Sequence, residues 1–205
     1  MKSAKSLVLL GLLTAIVIVF SFTPIGSIPI GPLVITLNII PVAIAAVALG
    51  PTGGAIMGGI FGLLSFLQCI GIGVPSGMGA TLFGISPFLA FVQRFIPRLL
   101  DGLLVGFIFR WCEKGLGHGP AGFIAGFFSA FLNTLFFMSA LILLFGNTEY
   151  VQGLIAGRNV IVFICAFVGV NAVVEMLVST IVTGGVSAAL YKAKLLPLSA
   201  KEKKS

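Results

Sequence analysis

Arg94, Arg98 and Asp101 stand in the stretch from 87 to 110, PFLAFVQRFIPRLLDGLLVGFIFR, which is otherwise largely apolar. Their i, i+4, i+7 spacing places them on one stripe of a helix. Asn171 and Glu175, also four apart, stand in the apolar run from 159 to 190, and Asn133 in the run from 120 to 145. Gln68 and Asn38 lie near the ends of two further apolar runs. Guanidinium groups take anions through a planar fork of donors, and side-chain amides suit hydroxyls or another amide. Arg94, Arg98, Asn133, Asn171, Gln68 and Asn38 therefore form a candidate site for a small anionic ligand. A second reading stands beside it. Arg98 pairs with Asp101 or Glu175, the asparagines bond between helices, and the two carboxylates are structural.

The elements that carry these groups belong to a membrane. The chain has 205 residues, 59% hydrophobic and 8% charged, with a mean hydropathy of +1.22. A soluble domain of this size needs more charge to cover its surface. One span takes about 20 apolar residues, so six would use roughly 120 to 140 of the chain. The expected fold class is an all-α membrane protein, a compact six-helix bundle forming one domain over 1–205. No run of short alternating strands points to a β-barrel. Charges inside a bilayer are costly, which makes the stripe on the fourth helix informative.

The net charge of +7 is distributed as a topology signal and not as a nucleic-acid surface. Lys2, Lys5, Arg110, Lys114, Lys192, Lys194, Lys201, Lys203 and Lys204 gather at the chain ends and in one central loop. That is the positive-inside pattern, and it puts both termini in the cytoplasm. Contact of the basic tail with anionic lipid or an acidic partner is the lesser reading. Cys69, Cys112 and Cys165 are too scattered for a metal framework, and the single histidine, His118, reads as a loop residue. No metal and no cofactor are expected.

Taken in order, the helices are expected at about 5–23, 36–49, 51–69, 87–110, 120–145 and 159–190. The first follows Lys2 and Lys5 like a signal peptide but lacks a small-x-small cleavage site, so it reads as a span. Residues 24–34 hold three prolines and predict an irregular outer loop. The second and third helices meet at Leu49-Gly50-Pro51-Thr52-Gly53, where Gly ends one helix and Pro opens the next. Gly54, Gly58 and Gly62 then line one face, which lets backbones pack closely in lipid. Residues 70–86 predict a second outer loop, and both loops read as lids over a cavity. At ~1.5 Å per residue, Arg94 lies roughly 10 Å in from the outer end and Arg98 near mid-membrane. Asn133 and Asn171 reach similar depths.

No G-x-x-x-x-G-K-[ST], H-E-x-x-H or G-x-S-x-G motif occurs, so neither ATP binding nor hydrolytic catalysis is expected of this chain. Over nearly its whole length the sequence resembles the substrate-binding S components of energy-coupling factor (ECF) vitamin transporters. The marks are Ile40-Pro41-Val42-Ala43-Ile44, Ala48-Leu49-Gly50-Pro51-Thr52-Gly53-Gly54-Ala55 and Phe95-Ile96-Pro97-Arg98-Leu99-Leu100. They are similar to the subgroup linked to pantothenate more than to those for riboflavin, folate or thiamin.

The resemblance implies a multi-pass subunit of the bacterial cytoplasmic membrane that binds a vitamin from outside. Its implied partners are a membrane-embedded T subunit and two cytoplasmic ABC-type ATPases, which use the ATP. It further implies that a small-x-x-x-small face on the first helix, typically Ala-x-x-x-Ala and here Gly11 to Ala15, docks the T subunit. After docking, such a subunit is thought to topple and release its cargo inward. The alternatives are an S component for another vitamin or precursor (riboflavin, folate, a cobalamin fragment) and a stand-alone secondary carrier.

Overall fold

The structure, a computed structural model, describes residues 4–24, 26–30 and 33–193. The basic positions Lys2, Lys194, Lys201, Lys203 and Lys204 lie outside the described residues. In chain order the elements are α1 (Ala4–Phe22), β1 (Ser27–Ile30), β2 (Leu33–Thr36), α2 (Ile39–Leu67), α3 (Gly77–Ile85), α4 (Pro87–Leu116), α5 (His118–Phe145), α6 (Glu149–Ile155) and α7 (Val160–Lys192). Among the described residues, the protein is all-α apart from one hairpin. Among the described residues, four helical stretches are long and apolar enough to cross a membrane: Ala4–Phe22, Ile39–Ile70, His118–Phe145 and Asn171–Lys192. The charged α4, 30 residues long, is not among them.

The expected break at 50 is present inside α2. Gly50 has φ +77° and ψ −170°, a backbone conformation open to glycine at little cost. A side chain there would also collide with the Arg110 guanidinium. Pro51 opens the second arm, where its missing N–H has no helical partner to lose. The arms fold back on each other: the Ala46 β-carbon lies 2.8 Å from where a β-carbon on Gly54 would stand. A straight helix would separate those positions by ~12 Å.

The second arm lies directly on α4, backbone to backbone. A side chain at Gly54 would strike the Gly102 carbonyl, and one at Gly58 the Arg98 carbonyl. A β-carbon at Gly62 would stand 2.9 Å from the Phe95 α-carbon. On the other side α5 meets α7 the same way, Gly126 facing the Ser179 carbonyl and Gly122 the Ser187 side chain. Small residues permit this approach where hydrophobicity between helices gives no drive. Three apolar clusters fill the interior: one around Met78, Leu82, Met138 and Phe163, one around Val17, Ile39, Met57 and Phe61, and one around Val47, Val105 and Phe109.

Two expected loops are ordered elements. The irregular loop expected at 24–34 contains instead an antiparallel hairpin pairing Ser27 with Thr36 and Ile30 with Leu33. Its Ile and Val content favours strand, and a two-stranded ribbon has free edges that tolerate a proline such as Pro29. Within 70–86, Gly77–Ile85 forms α3, capped by Ser76, whose Oγ accepts the Gly79 N–H at 3.1 Å. Three glycines weaken its helix propensity, but the cap and the burial of Met78 and Leu82 offset that. Helix limits also shift: the second helix starts at 39, and α4 runs on to 116, where Gly117 (φ +83°) turns the chain into α5.

Candidate functional site

A cavity opens between the first two apolar clusters, roofed by the end of β2 and the turn before α3. It comprises about 770 Å³ of non-atom space including its open mouth. Gln68, Arg94, Arg98, Asn133 and Asn171 all line it. Asn38 does not. It is 1% exposed, and its Nδ2 donates to Ser21 Oγ at 3.2 Å. Its expected place in the ligand site is therefore corrected to a buried link between α1 and α2. Gly11 and Ala15 lie on the outward face of α1, and a β-carbon at Gly11 would meet nothing within 4 Å.

The two arginines share one ring. The Arg94 Cζ stands 5.1 Å from the Phe137 centroid, and the Arg98 Cζ stands 4.8 Å from Phe137 and 5.0 Å from Phe61. Aromatic faces stabilise a cation without neutralising it. Arg94 Nη2 donates to Ser76 Oγ at 3.2 Å. Arg98 is 5% exposed, and its buried Nε and Nη1 have no hydrogen-bond partner in the protein. Among the described residues, neither guanidinium has a carboxylate within 4.0 Å. The second reading of Arg98, an ion pair with Asp101 or Glu175, is thus not realised.

The carboxylates lie apart. Asp101 leaves the cavity lining and accepts Ser129 Oγ–H at 3.4 Å, although it follows Arg98 on the same stripe. Glu175 does line the cavity, and its Oε1 accepts the Thr36 backbone N–H at 2.7 Å. Asn133 is 5% exposed with its Oδ1 unpartnered, an acceptor left open in a buried wall. Gln68 Nε2 donates to the Ser21 carbonyl at 3.0 Å, which ties the roof to α1. On α6, burial raises the Tyr150 phenol above its ordinary value, partly offset by the charge of Arg94.

Thr36, Ser65, Ser76 and Thr134 complete the polar lining, and Phe61 and Phe137 bring aromatic faces to the apolar one. The sequence reading missed all six. Only Ser76 carried a local signal, a serine opening a Gly-rich helix as its cap. An unpaired guanidinium with two open donors, a hydrogen-bonded carboxylate and several amides suit an anion that also bears hydroxyl or amide groups. Uncompensated buried polar groups of this kind are costly unless a partner arrives.

Long apolar helices around such a pocket mark a multi-pass membrane protein. The chain belongs to the family described as ECF transporter, substrate-specific component, whose family model matches residues 5–187. Among its relatives, a protein of Lactococcus lactis subsp. cremoris called pantothenic acid transporter PanT is 28% identical, the alignment covering 94% of this chain and 97% of that one. A pantothenate transporter PanT of Leuconostoc mesenteroides subsp. mesenteroides is 30% identical, covering 97% and 95% respectively. Family and relatives alike are transporter components, not enzymes.

Proposed function

We infer that the chain is the high-affinity substrate-binding subunit of an ATP-driven ECF transporter and that its substrate is pantothenate. Pantothenate carries a carboxylate, an amide and hydroxyls. The reading rests on Arg98, a buried cation with two open donors at the cavity wall. There it takes the carboxylate, with Arg94 reinforcing the positive field. Asn133, Asn171 and Gln68 serve the amide, and Glu175 accepts from a hydroxyl. Two guanidiniums against one carboxylate suit a monoanion.

On this reading the two arms of α2 count separately and α4 is included, making six helical segments in one domain over 1–205, with both termini cytoplasmic and the cavity facing outward in a bacterial cytoplasmic membrane. The subunit has no cofactor of its own. It works with a T subunit, docked through the open Gly11–Ala15 face of α1, and with two ATPases that consume ATP.

Isothermal titration of the purified chain with pantothenate tests this reading. Tight binding is expected, weakened ~30-fold or more by Arg98→Ala, in line with about 2 to 5 kcal/mol for truncating one partner of a buried charged pair. Binding that survives both Arg98→Ala and Arg94→Ala would remove the site. Failure to bind pantothenate, with riboflavin, folate or a cobalamin fragment bound instead, would overturn the substrate but keep the subunit. Uptake by the chain alone, without T subunit and ATPases, would replace the subunit with a secondary carrier.

A further inference from the structure

On the outer surface of the bundle, away from the cavity, the seam between the second arm of α2 and α4 leaves an apolar groove. Ile56, Gly59, Ile60 and Leu63 form one wall, and Phe95 and Leu99 the other. Gly59 is a notch in it. A β-carbon there would meet only ordinary contacts, 3.7 Å to the Phe95 ring, so the missing side chain leaves width and relieves no clash. Ile56 and Leu63 are 39% and 48% exposed and form the rim.

The groove has a defined depth. Ile56 to Leu63 lie six to thirteen residues beyond Gly50, ~9 to 20 Å along the arm. The hydrocarbon of one leaflet is about 15 Å deep. Leu99 and Arg110 are eleven residues apart on α4, three helical turns, so Arg110 continues the groove's stripe to the level of Gly50. Contact confirms that level, since the Arg110 guanidinium lies against the backbone of Gly50. Trp111, 80% exposed, and the exposed Lys114 stand at the same end. Rings and cations of this kind sit at headgroup depth. The one acid close by on α4, Glu113, faces His118 Nδ1 at 3.4 Å.

We propose that this groove holds an acyl chain of an anionic glycerophospholipid, drawn from the leaflet at the Gly50 end, with its acidic headgroup at Arg110 and Lys114. Two cations favour a net-negative headgroup over a zwitterionic one. The walls carry no hydrogen-bonding side chain, so they select length and width, as a hydrocarbon chain requires.

The test uses the full-length protein, stripped of lipid in detergent and offered equimolar phosphatidylglycerol and phosphatidylcholine with identical chains. Native mass spectrometry should show one retained phosphatidylglycerol, preferred several-fold. Gly59→Leu, which fills the notch, should lose the retained lipid with the melting temperature of the apo protein unchanged. Arg110→Gln, or Lys114→Gln if the first disturbs the bend, should reduce the headgroup preference while some lipid remains bound. Equal retention of both lipids, or unaltered retention by Gly59→Leu, would overturn the proposal. So would a Gly59→Leu variant that keeps its lipid but no longer co-purifies with a co-expressed T subunit, because the groove would then be a protein-docking surface.

Discussion

Glu175 on α7 accepts the backbone N–H of Thr36 at 2.7 Å, joining positions 139 residues apart. The carboxylate is buried and lines the cavity, so one group both walls that space and anchors the end of the β1–β2 hairpin. A hydrogen bond to a charged group contributes about 1.5 to 3 kcal/mol. Glu175→Ala is therefore expected to raise amide exchange at Thr36 by roughly tenfold or more and to weaken ligand binding. Glu175→Gln keeps an acceptor and should retain much of the anchor. Hydrogen-exchange mass spectrometry over the hairpin reads the effect, and unchanged exchange in Glu175→Ala would show that the hairpin is held elsewhere.

Gly58 and Gly59 are neighbours with opposite surroundings. A side chain at Gly58 runs into the Arg98 carbonyl, whereas one at Gly59 meets open groove and the edge of Phe95. Overpacking costs about 1 to 3 kcal/mol, and more when the obstacle is backbone. We expect Gly58→Leu to lower the melting temperature sharply and, by displacing Arg98, to reduce ligand affinity. Gly59→Ala should leave both near those of the parent. Thermal unfolding of the two variants in one detergent decides it, and equal melting temperatures would contradict the seam as described.

Ser76 does two jobs through one oxygen. Its Oγ accepts the Gly79 N–H at 3.1 Å as the cap of α3 and receives Arg94 Nη2 at 3.2 Å. Losing a serine cap costs about 1 kcal/mol, and Arg94 would lose its hydroxyl partner in the same step. Ser76→Ala should weaken ligand binding several-fold, and Ser76→Thr, which keeps the oxygen, should restore most of it. Titration of the two variants measures this directly. Indistinguishable affinities in Ser76→Ala and the parent would show that Ser76 does not set the position of Arg94.

Much of the architecture was legible before any fold was seen. The break at Gly50-Pro51 followed from backbone chemistry that few other residue pairs allow. The Gly54, Gly58, Gly62 face followed from helical period, and the structure turns that face onto α4. Five of the six expected ligand residues line one cavity, because depth along a helix can be counted at ~1.5 Å per residue. The hairpin at 27–36 and helix α3 were less legible: proline and glycine outweighed the Ile, Val and Ser signals that burial and capping made decisive.

Composition, helical period and the placement of charge thus determined a membrane bundle with polar groups at a common depth. They also determined that these groups include more cation than a lipid interior would hold without a purpose. What only the tertiary structure decided is which way each group turns relative to the neighbouring helices. Asn38 and Gln68 look alike in the sequence, each an amide near the end of an apolar run, and both reach Ser21, yet only Gln68 borders the cavity. Asp101 shares the stripe of Arg98 but lies beyond the cavity floor, against Ser129 of α5. Spacing along one helix records rotation about its own axis. The direction that counts as inward is set by packing among helices distant in the chain, and by strands and turns that close the roof through contacts such as Glu175 with Thr36.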